Sequence, residues 1–321
     1  MVPPRRLEKP RVLYLCGWGR SGTTIIDQVL GQVPGFTSVG ELRSLWDTDP
    51  ATHKCGCGQV VNQCPLWAPL LHAMEQASGY GMEDIASFRD EVARTRHLPR
   101  LYAAARRRGH GRSTSAATNY GDVLSGIYRA LAAATGSGVV IDSSKHPAEA
   151  LLLASRSDID LTVLHVVRDP RGVAFSWSRP QGMAHPEVDH PPQEGVLHSA
   201  AWWTAWNAAI ETLIRPKLRH KYVVARYEDV MADPLRYLGP LVQLFGGAGA
   251  DLPLVARDEV MLGPSHTVAG NPSRMRNGLV RLDVDRRWES QMSSADRRLA
   301  TAAALPLLAH YGYGVRVRSA G

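Results

Sequence analysis

Nowhere does this sequence offer an apolar run approaching the roughly 20 residues of a membrane-spanning helix. Its longest apolar stretches, such as Val12 to Cys16 and Leu161 to Val167, have the length of buried strands. The first residues do not read as a secretory leader either: the basic, proline-containing stretch Met1 to Arg11 passes through a short apolar segment straight into Gly17-Trp18-Gly19-Arg20, without the long apolar core or small-residue cleavage site of a signal peptide. The expectation is a cytoplasmic protein. There is no internal repeat, no zinc-finger spacing, no RNA-binding signature and no basic run interleaved with aromatics. The excess of 37 Lys and Arg over 30 Asp and Glu is therefore scattered, and it predicts a small polyanionic ligand rather than nucleic acid. Charged residues are only 21% of the chain against 44% hydrophobic, which excludes a disordered chain and provides for a sizeable core.

What is present is an alternation. Arg11 to Cys16, Phe36 to Val39, Val139 to Ile141, Leu161 to Val167 and Tyr222 to Ala225 read as strands. Gly22 to Gln32, Asn119 to Ala134, Pro147 to Ser155, Asp169 to Ser178, Glu194 to Leu218 and Ser294 to His310 read as helices. Such an order predicts an α/β fold, a parallel sheet flanked by helices, in one domain over residues 1–321. Three segments break the pattern: Asp49 to Pro65, Pro180 to Gln193 and Gly263 to Asp285. They are expected as lids or binding loops. Leu66 to Gly111 is helical in pattern, so residues 49–111 are expected as a cap inserted between the second and third strands.

The strongest chemical signal follows the first strand. Gly17-Trp18-Gly19-Arg20-Ser21-Gly22-Thr23-Thr24 leads into an apolar-periodic helix, the arrangement of a phosphate-binding loop. Glycines let successive N–H groups turn inward, and the helix N-terminus adds partial positive charge where a phosphate rests. A nucleoside-triphosphate loop carries Lys after the second Gly; here Thr23 stands there and the cation comes earlier, at Arg20.

Gly-x-x-Arg-Ser-Gly-Thr-Thr in this position resembles the loop that holds the 5′-phosphosulfate of 3′-phosphoadenosine 5′-phosphosulfate (PAPS) in sulfotransferases, most closely the bacterial enzymes and the tyrosyl-protein group. The resemblance implies a P-loop-type fold and donor binding by Gly19, Arg20, Ser21, Gly22, Thr23 and Thr24. It also implies that Arg20 acts at the sulfuryl centre and that Glu41, 21 residues after Arg20, is the base. In the same family an Arg ending a later strand and a Ser eight residues on bind the 3′-phosphate, and Arg168 and Ser176 match both. Between them, Asp169 reads as a helix N-cap with Pro170 at the first position.

Val139 to Pro147 ends in Asp142-Ser143-Ser144-Lys145-His146-Pro147 at the carboxyl end of a strand, where open parallel sheets bind ligands. Similar sulfotransferases carry Lys-x-Pro there, which implies a catalytic role for Lys145. Asp142 is equally readable as a Mg²⁺-binding acid, the kinase reading. Tyr227, in Tyr227-Glu228-Asp229, is implied on the nucleotide side, and a structural helix cap is the competing reading. Arg274 and Arg276, in the late segment Ser265 to Arg276, are the implied cations of a closing loop.

His53, Cys55, Cys57 and Cys64 make His-x-Cys-x-Cys-x₆-Cys; a disulfide or free thiols and a tetrahedral Zn²⁺ both fit that set. Cys-Gly-Cys followed by Cys-Pro-x-Trp is similar to a structural element of the cap in related bacterial sulfotransferases. His146 and His185 are alternative bases. Trp202, Trp203 and Trp206, at helical spacing beside His190 and His198, are expected mainly in the core.

The resulting expectation is a PAPS-dependent sulfotransferase that needs no metal, releases the 3′,5′-bisphosphate PAP, and sulfates a hydroxyl or amine on a small molecule, glycan, lipid or peptide. The alternatives are a P-loop kinase acting on a small alcohol and a catalytically silent nucleotide-binding module.

Overall fold

The computed structural model describes residues 9–92, 115–179 and 194–315. Expectations for His185, His190 and the cap beyond residue 92 lie outside them. Five strands, β1 (Arg11–Cys16), β2 (Phe36–Ser38), β3 (Val139–Lys145), β4 (Asp160–Val167) and β5 (Tyr222–Arg226), pair in the order β2-β3-β1-β4-β5. Every pairing is parallel. β1 lies at the centre and is buried on both faces, which is why it reads as an unbroken apolar run.

Successive β1 side chains point to opposite faces, and each face has its own core. Val12, Tyr14 and Cys16 pack with the long helix Ser115–Thr135; Leu13 and Leu15 pack with Ile26, Val29 and Leu30 of the first helix, Thr23–Leu30. The helices Trp67–Ser78 and Met82–Val92 extend the first of these cores through Trp67, Leu70, Ile85 and Val92. No helix among the described residues is long and apolar enough to cross a membrane.

Three differences from the expected elements bear on the site. β3 runs on from Ile141 to Lys145, because Asp142 and Lys145 still pair with Tyr14 and Cys16 of β1. The polar run is thus strand, carried to the sheet's carboxyl edge. β6 (Leu254–Ala256) and β7 (Glu259–Leu262), just ahead of the late segment Gly263 to Asp285, form an antiparallel sheet with β8 (Gly278–Arg281), so that segment is not wholly irregular. These strands are three or four residues long, with Val255, Met261 and Leu279 exposed, so they carry little apolar periodicity. Finally, the helix expected over Glu194 to Leu218 is Val196–Ala209, a π turn at Ile210–Ile214 and a last short turn, Arg215–Leu218.

Candidate active site

The carboxyl ends of β1, β3 and β4 open onto a cleft of about 1450 Å³. The turn after β1 forms its floor. Gly22 caps the following helix in the left-handed region at φ 85, and a Cβ there would stand 2.3 Å from the Tyr227 ring; only glycine lets the turn lie against that ring. Gly19 is held as closely, its Cβ position 2.7 Å from Trp177. Gly19, Arg20, Gly22, Thr23 and Thr24 line the cleft. Ser21 does not: it is fully buried, and its hydroxyl has no partner among the described residues.

Two non-glycine residues of the cleft, Arg20 and Lys145, are also left-handed, each at φ 68. Such backbone costs roughly 1–3 kcal/mol per residue and persists only where its surroundings enforce it. Both residues follow or end a central strand, and both carry the cations expected at the reacting centre. The Arg20 guanidinium lies 4.8 Å from the centroid of the Trp177 ring. Burial lowers its pKa, and Glu41 opposes that shift.

Lys145 donates to the Glu41 carboxylate, so the expected base and the expected cation meet across the ends of β2 and β3. Glu41 sits beyond Gly40, which is left-handed at φ 73 and whose Cβ would come within 2.6 Å of the Ala269 carbonyl oxygen. Its own N–H donates to that oxygen (3.1 Å). On the far side, a Cβ on Gly270 would meet Glu41 Oε1 at 3.3 Å. The carboxylate therefore lies between Lys145 and the late loop.

At the end of β4, Asp169 caps the next helix through Arg171 N–H (2.9 Å), with Pro170 at the first position. Arg168 donates to the carbonyl of Arg20 (3.1 Å) and to Asp285 (3.2 Å), and its guanidinium lies over the Tyr227 ring at 4.7 Å. Arg168, Ser176 and Tyr227 all line the cleft. Glu228 accepts from Asp169 N–H (3.0 Å) and Tyr313 O–H (2.7 Å). The Tyr-Glu-Asp segment thus contributes a ring to the cleft and a brace to the β4 turn at once. Burial raises the pKa values of both Tyr227 and Glu228.

Arg274 and Arg276 line the cleft from the late loop. The buried Arg274 guanidinium donates to the carbonyls of Thr267 (2.9 Å) and Lys54 (2.7 Å), which makes it a clamp between segments. Gln28 of the first helix holds the same loop through the Arg274 and Arg276 carbonyls, at 3.2 and 3.3 Å.

Several expectations change. Asp142 does not line the cleft: it is fully buried and accepts from Tyr128 O–H (2.7 Å) and Ser144 N–H (2.9 Å). Burial pushes its pKa up to about 7. His146, an alternative base, does not line the cleft and packs edge-on against Trp206 at 4.8 Å, and burial holds its pKa far below the ordinary histidine range. No disulfide joins Cys55, Cys57 and Cys64, and the imidazole beside them is His266, while His53 bonds the Val268 carbonyl. Of the tryptophans, Trp203 is core, but Trp206 lines the cleft together with Trp18 and Trp177.

Two residues had no sequence signal of their own. Asp285 bonds Arg168, and Arg287 bonds Asp285 at 2.8 Å and keeps its pKa below the ordinary carboxylate range. Both stand at or just past the end of the irregular late segment, where an arginine-rich stretch was the one available hint.

No curated protein matches the chain. The sulfotransferase domain from the olefin synthase of Synechococcus PCC 7002 is similar in fold at 17% identity and a TM-score of 0.52, over 97% of this chain and 98% of that one. The sulfotransferase STF9 of Mycobacterium avium is 15% identical with a TM-score of 0.47, over 97% of this chain and 79% of that one. A family model described as the sulfotransferase domain matches residues 10–248, a span that holds the β1 loop, Glu41, Lys145, the β4 turn and Tyr227, and by that match the chain belongs to the sulfotransferase family.

Proposed function

We propose that the protein transfers the sulfuryl group of PAPS to a hydroxyl or amine acceptor and releases PAP. One observation carries the reading: the Arg20 loop, the Glu41–Lys145 pair and the Arg168 turn all face one cleft. PAPS supplies an activated sulfuryl group for in-line displacement. The tasks left to the protein are positioning and neutralising charge on the leaving phosphate.

The β1 turn suits the 5′-phosphosulfate, since it joins glycine-rich backbone, a helix N-terminus and Arg20, whose buried Nε has no partner among the described residues. Arg168 and Ser176 take the 3′-phosphate, with the Tyr227 ring beside the nucleotide. Arg276 adds a late cation, and Arg274 sets the loop that carries it. Lys145 balances Glu41 until the donor brings a second anion, and Glu41 then receives the acceptor proton. Trp18, Trp177 and Trp206 give the acceptor an aromatic wall, suited to a phenol, a sugar face or a lipid alcohol.

A sulfuryl group carries less charge than a γ-phosphoryl, so arginine, lysine and N–H groups suffice without a metal clamp. The kinase reading loses its support at two positions, Thr23 in place of the loop Lys and Asp142 buried away from the cleft. Thermal unfolding with PAP in metal-free buffer, set beside ATP with Mg²⁺, tests the proposal, because a ligand that binds only the folded state raises the midpoint. A rise with PAP alone is expected. A rise confined to Mg-ATP would overturn the sulfotransfer reading.

A further inference from the structure

Behind the cleft, the cap and the late loop meet at a cluster that the reaction does not use. Cys55, Cys57, Cys64 and His266 bring four ligand atoms within 4.8 Å of one another, and none of the four residues lines the cleft. We propose that they hold a structural zinc ion that staples the cap to the late loop of the active site.

The distances are those of a coordination sphere. Sulfurs bound to tetrahedral zinc at about 2.3 Å stand about 3.8 Å apart, and a sulfur and an imidazole nitrogen about 3.5 Å apart. Here Cys64 Sγ is 3.6 Å from Cys55 Sγ and 3.7 Å from Cys57 Sγ. His266 Nδ1 lies 3.3 Å from Cys64 Sγ and 3.8 Å from Cys55 Sγ. A disulfide requires sulfurs about 2.05 Å apart, and one disulfide would leave the third thiol over.

The backbone is shaped to present these ligands. Lys54 pairs with Val60 across a tight hairpin, Cys55 N–H donates to the Gln59 carbonyl (2.8 Å), and Gly58 turns the chain at φ 89. That knuckle carries Cys55 and Cys57, and a 3₁₀ turn at Val61–Gln63 delivers Cys64. Gly56 permits the close approach of the other half, for a Cβ there would lie 2.6 Å from Thr267 Oγ1 and 2.9 Å from the Ser265 carbonyl oxygen. His266 comes from 202 residues further along the chain than Cys64, and its carbonyl accepts from Trp67 of the cap (2.7 Å).

Three soft thiolates and one imidazole select zinc over magnesium or calcium, and four protein ligands leave no open position for water. On binding, the three thiols release their protons to solvent. The resulting site has one net negative charge. The buried Arg274 guanidinium, which donates to the Lys54 carbonyl next to Cys55, supplies the countercharge.

The test is the metal content of untagged, full-length protein purified under reducing conditions from cells supplied with zinc. About one zinc per chain is expected to persist through gel filtration. Cobalt replacing it should give thiolate charge-transfer absorption and tetrahedral visible bands. Cys64→Ser and His266→Ala should lose the metal. His266→Cys, which keeps four ligands, should retain about one zinc per chain and separates ligation from folding.

Folded wild type holding less than about 0.1 zinc per chain after excess zinc, a six-coordinate cobalt spectrum, or zinc retained by Cys64→Ser would each overturn the proposal. The wild-type measurements need no variant to fold. Their failure would leave PAP binding, and with it the proposed reaction, untouched.

Discussion

The two walls of the cleft are built on different principles. The wall formed by the ends of β1, β3 and β4 is a set of local turns, each fixed by the strand before it and the helix after it. The opposite wall is a junction of residues 49–65 with residues 263–277. It is held by Gly56 N–H on the Thr267 carbonyl, by Arg274 on the Lys54 carbonyl and by the cysteine cluster with His266. The first wall carries the cations that the proposed chemistry needs, in strained backbone. The second sets where a loop lies, and of its two arginines Arg274 is spent on carbonyls while Arg276 is left as the late cation. A positive charge at the cleft is therefore not by itself a ligand contact.

Replacing one arginine on each wall should separate these roles. Arg20→Ala is expected to lower turnover with PAPS by about 10²–10³-fold while PAP still raises the unfolding midpoint, the cost of removing one charge-stabilising donor. Arg274→Ala should instead lower the midpoint, since it removes two hydrogen bonds from a charged guanidinium that tie the late loop to residue 54, worth about 1.5–3 kcal/mol each. An unchanged midpoint with turnover lost would make Arg274 a donor contact like Arg20. Glu41→Gln keeps the shape of the carboxylate but takes no proton, so turnover should fall about 10²–10⁴-fold with PAP affinity nearly unchanged. Full turnover in that variant would remove Glu41 as the base.

Glycine offers a finer comparison. Gly22 and Gly58 turn at nearly the same φ, 85 and 89, yet a Cβ on Gly22 runs into Tyr227 and one on Gly58 meets nothing within 4 Å. Gly58→Ala should cost about 1–2 kcal/mol, the backbone term alone. Gly22→Ala should cost more and weaken PAP binding as well, because the ring beside the cleft must move. Equal midpoints and equal PAP affinity in the two variants would sever the packing of the loop from ligand binding.

The difference between the walls also explains what was legible in the sequence. Turns after β1 and β4 declare themselves because glycine spacing and an Asp-Pro cap act over a few residues. β3 looked shorter than it is, since Asp142, Ser143 and Ser144 are polar yet buried, with Asp142 accepting from Tyr128 O–H and Ser144 N–H. His53 stood nearest to the cysteines in sequence, whereas the imidazole that reaches them is His266, 202 residues beyond Cys64. Contacts of that range leave no period to read. Lys145 and Glu41 were each placed at the site, but their pairing follows from β2 and β3 being neighbours, which motifs alone do not state.

A final expected effect concerns the support behind the β1 loop. Asp27 of the first helix is buried and accepts from Ser38 O–H at 2.6 Å, and burial pushes its pKa up to about 7 from the ordinary 3.8. An acid raised in this way binds its proton more tightly folded than unfolded. Between about pH 4 and pH 7 the folded state therefore holds more protons, and stability falls as pH rises through that window. Asp142, raised to about 7 as well, acts in the same direction. Asp27→Asn removes one of the two contributions while keeping an oxygen for Ser38. Its midpoint should be no higher than wild type near pH 4, where the wild-type acid is neutral, and should overtake it by pH 8. Unfolding curves collected across that range decide the matter. Parallel curves would mean that Asp27 is ionised in the folded protein, with its charge met by the Lys145 side of the cleft, and the local wall would then depend on the ion pair as much as on its turns.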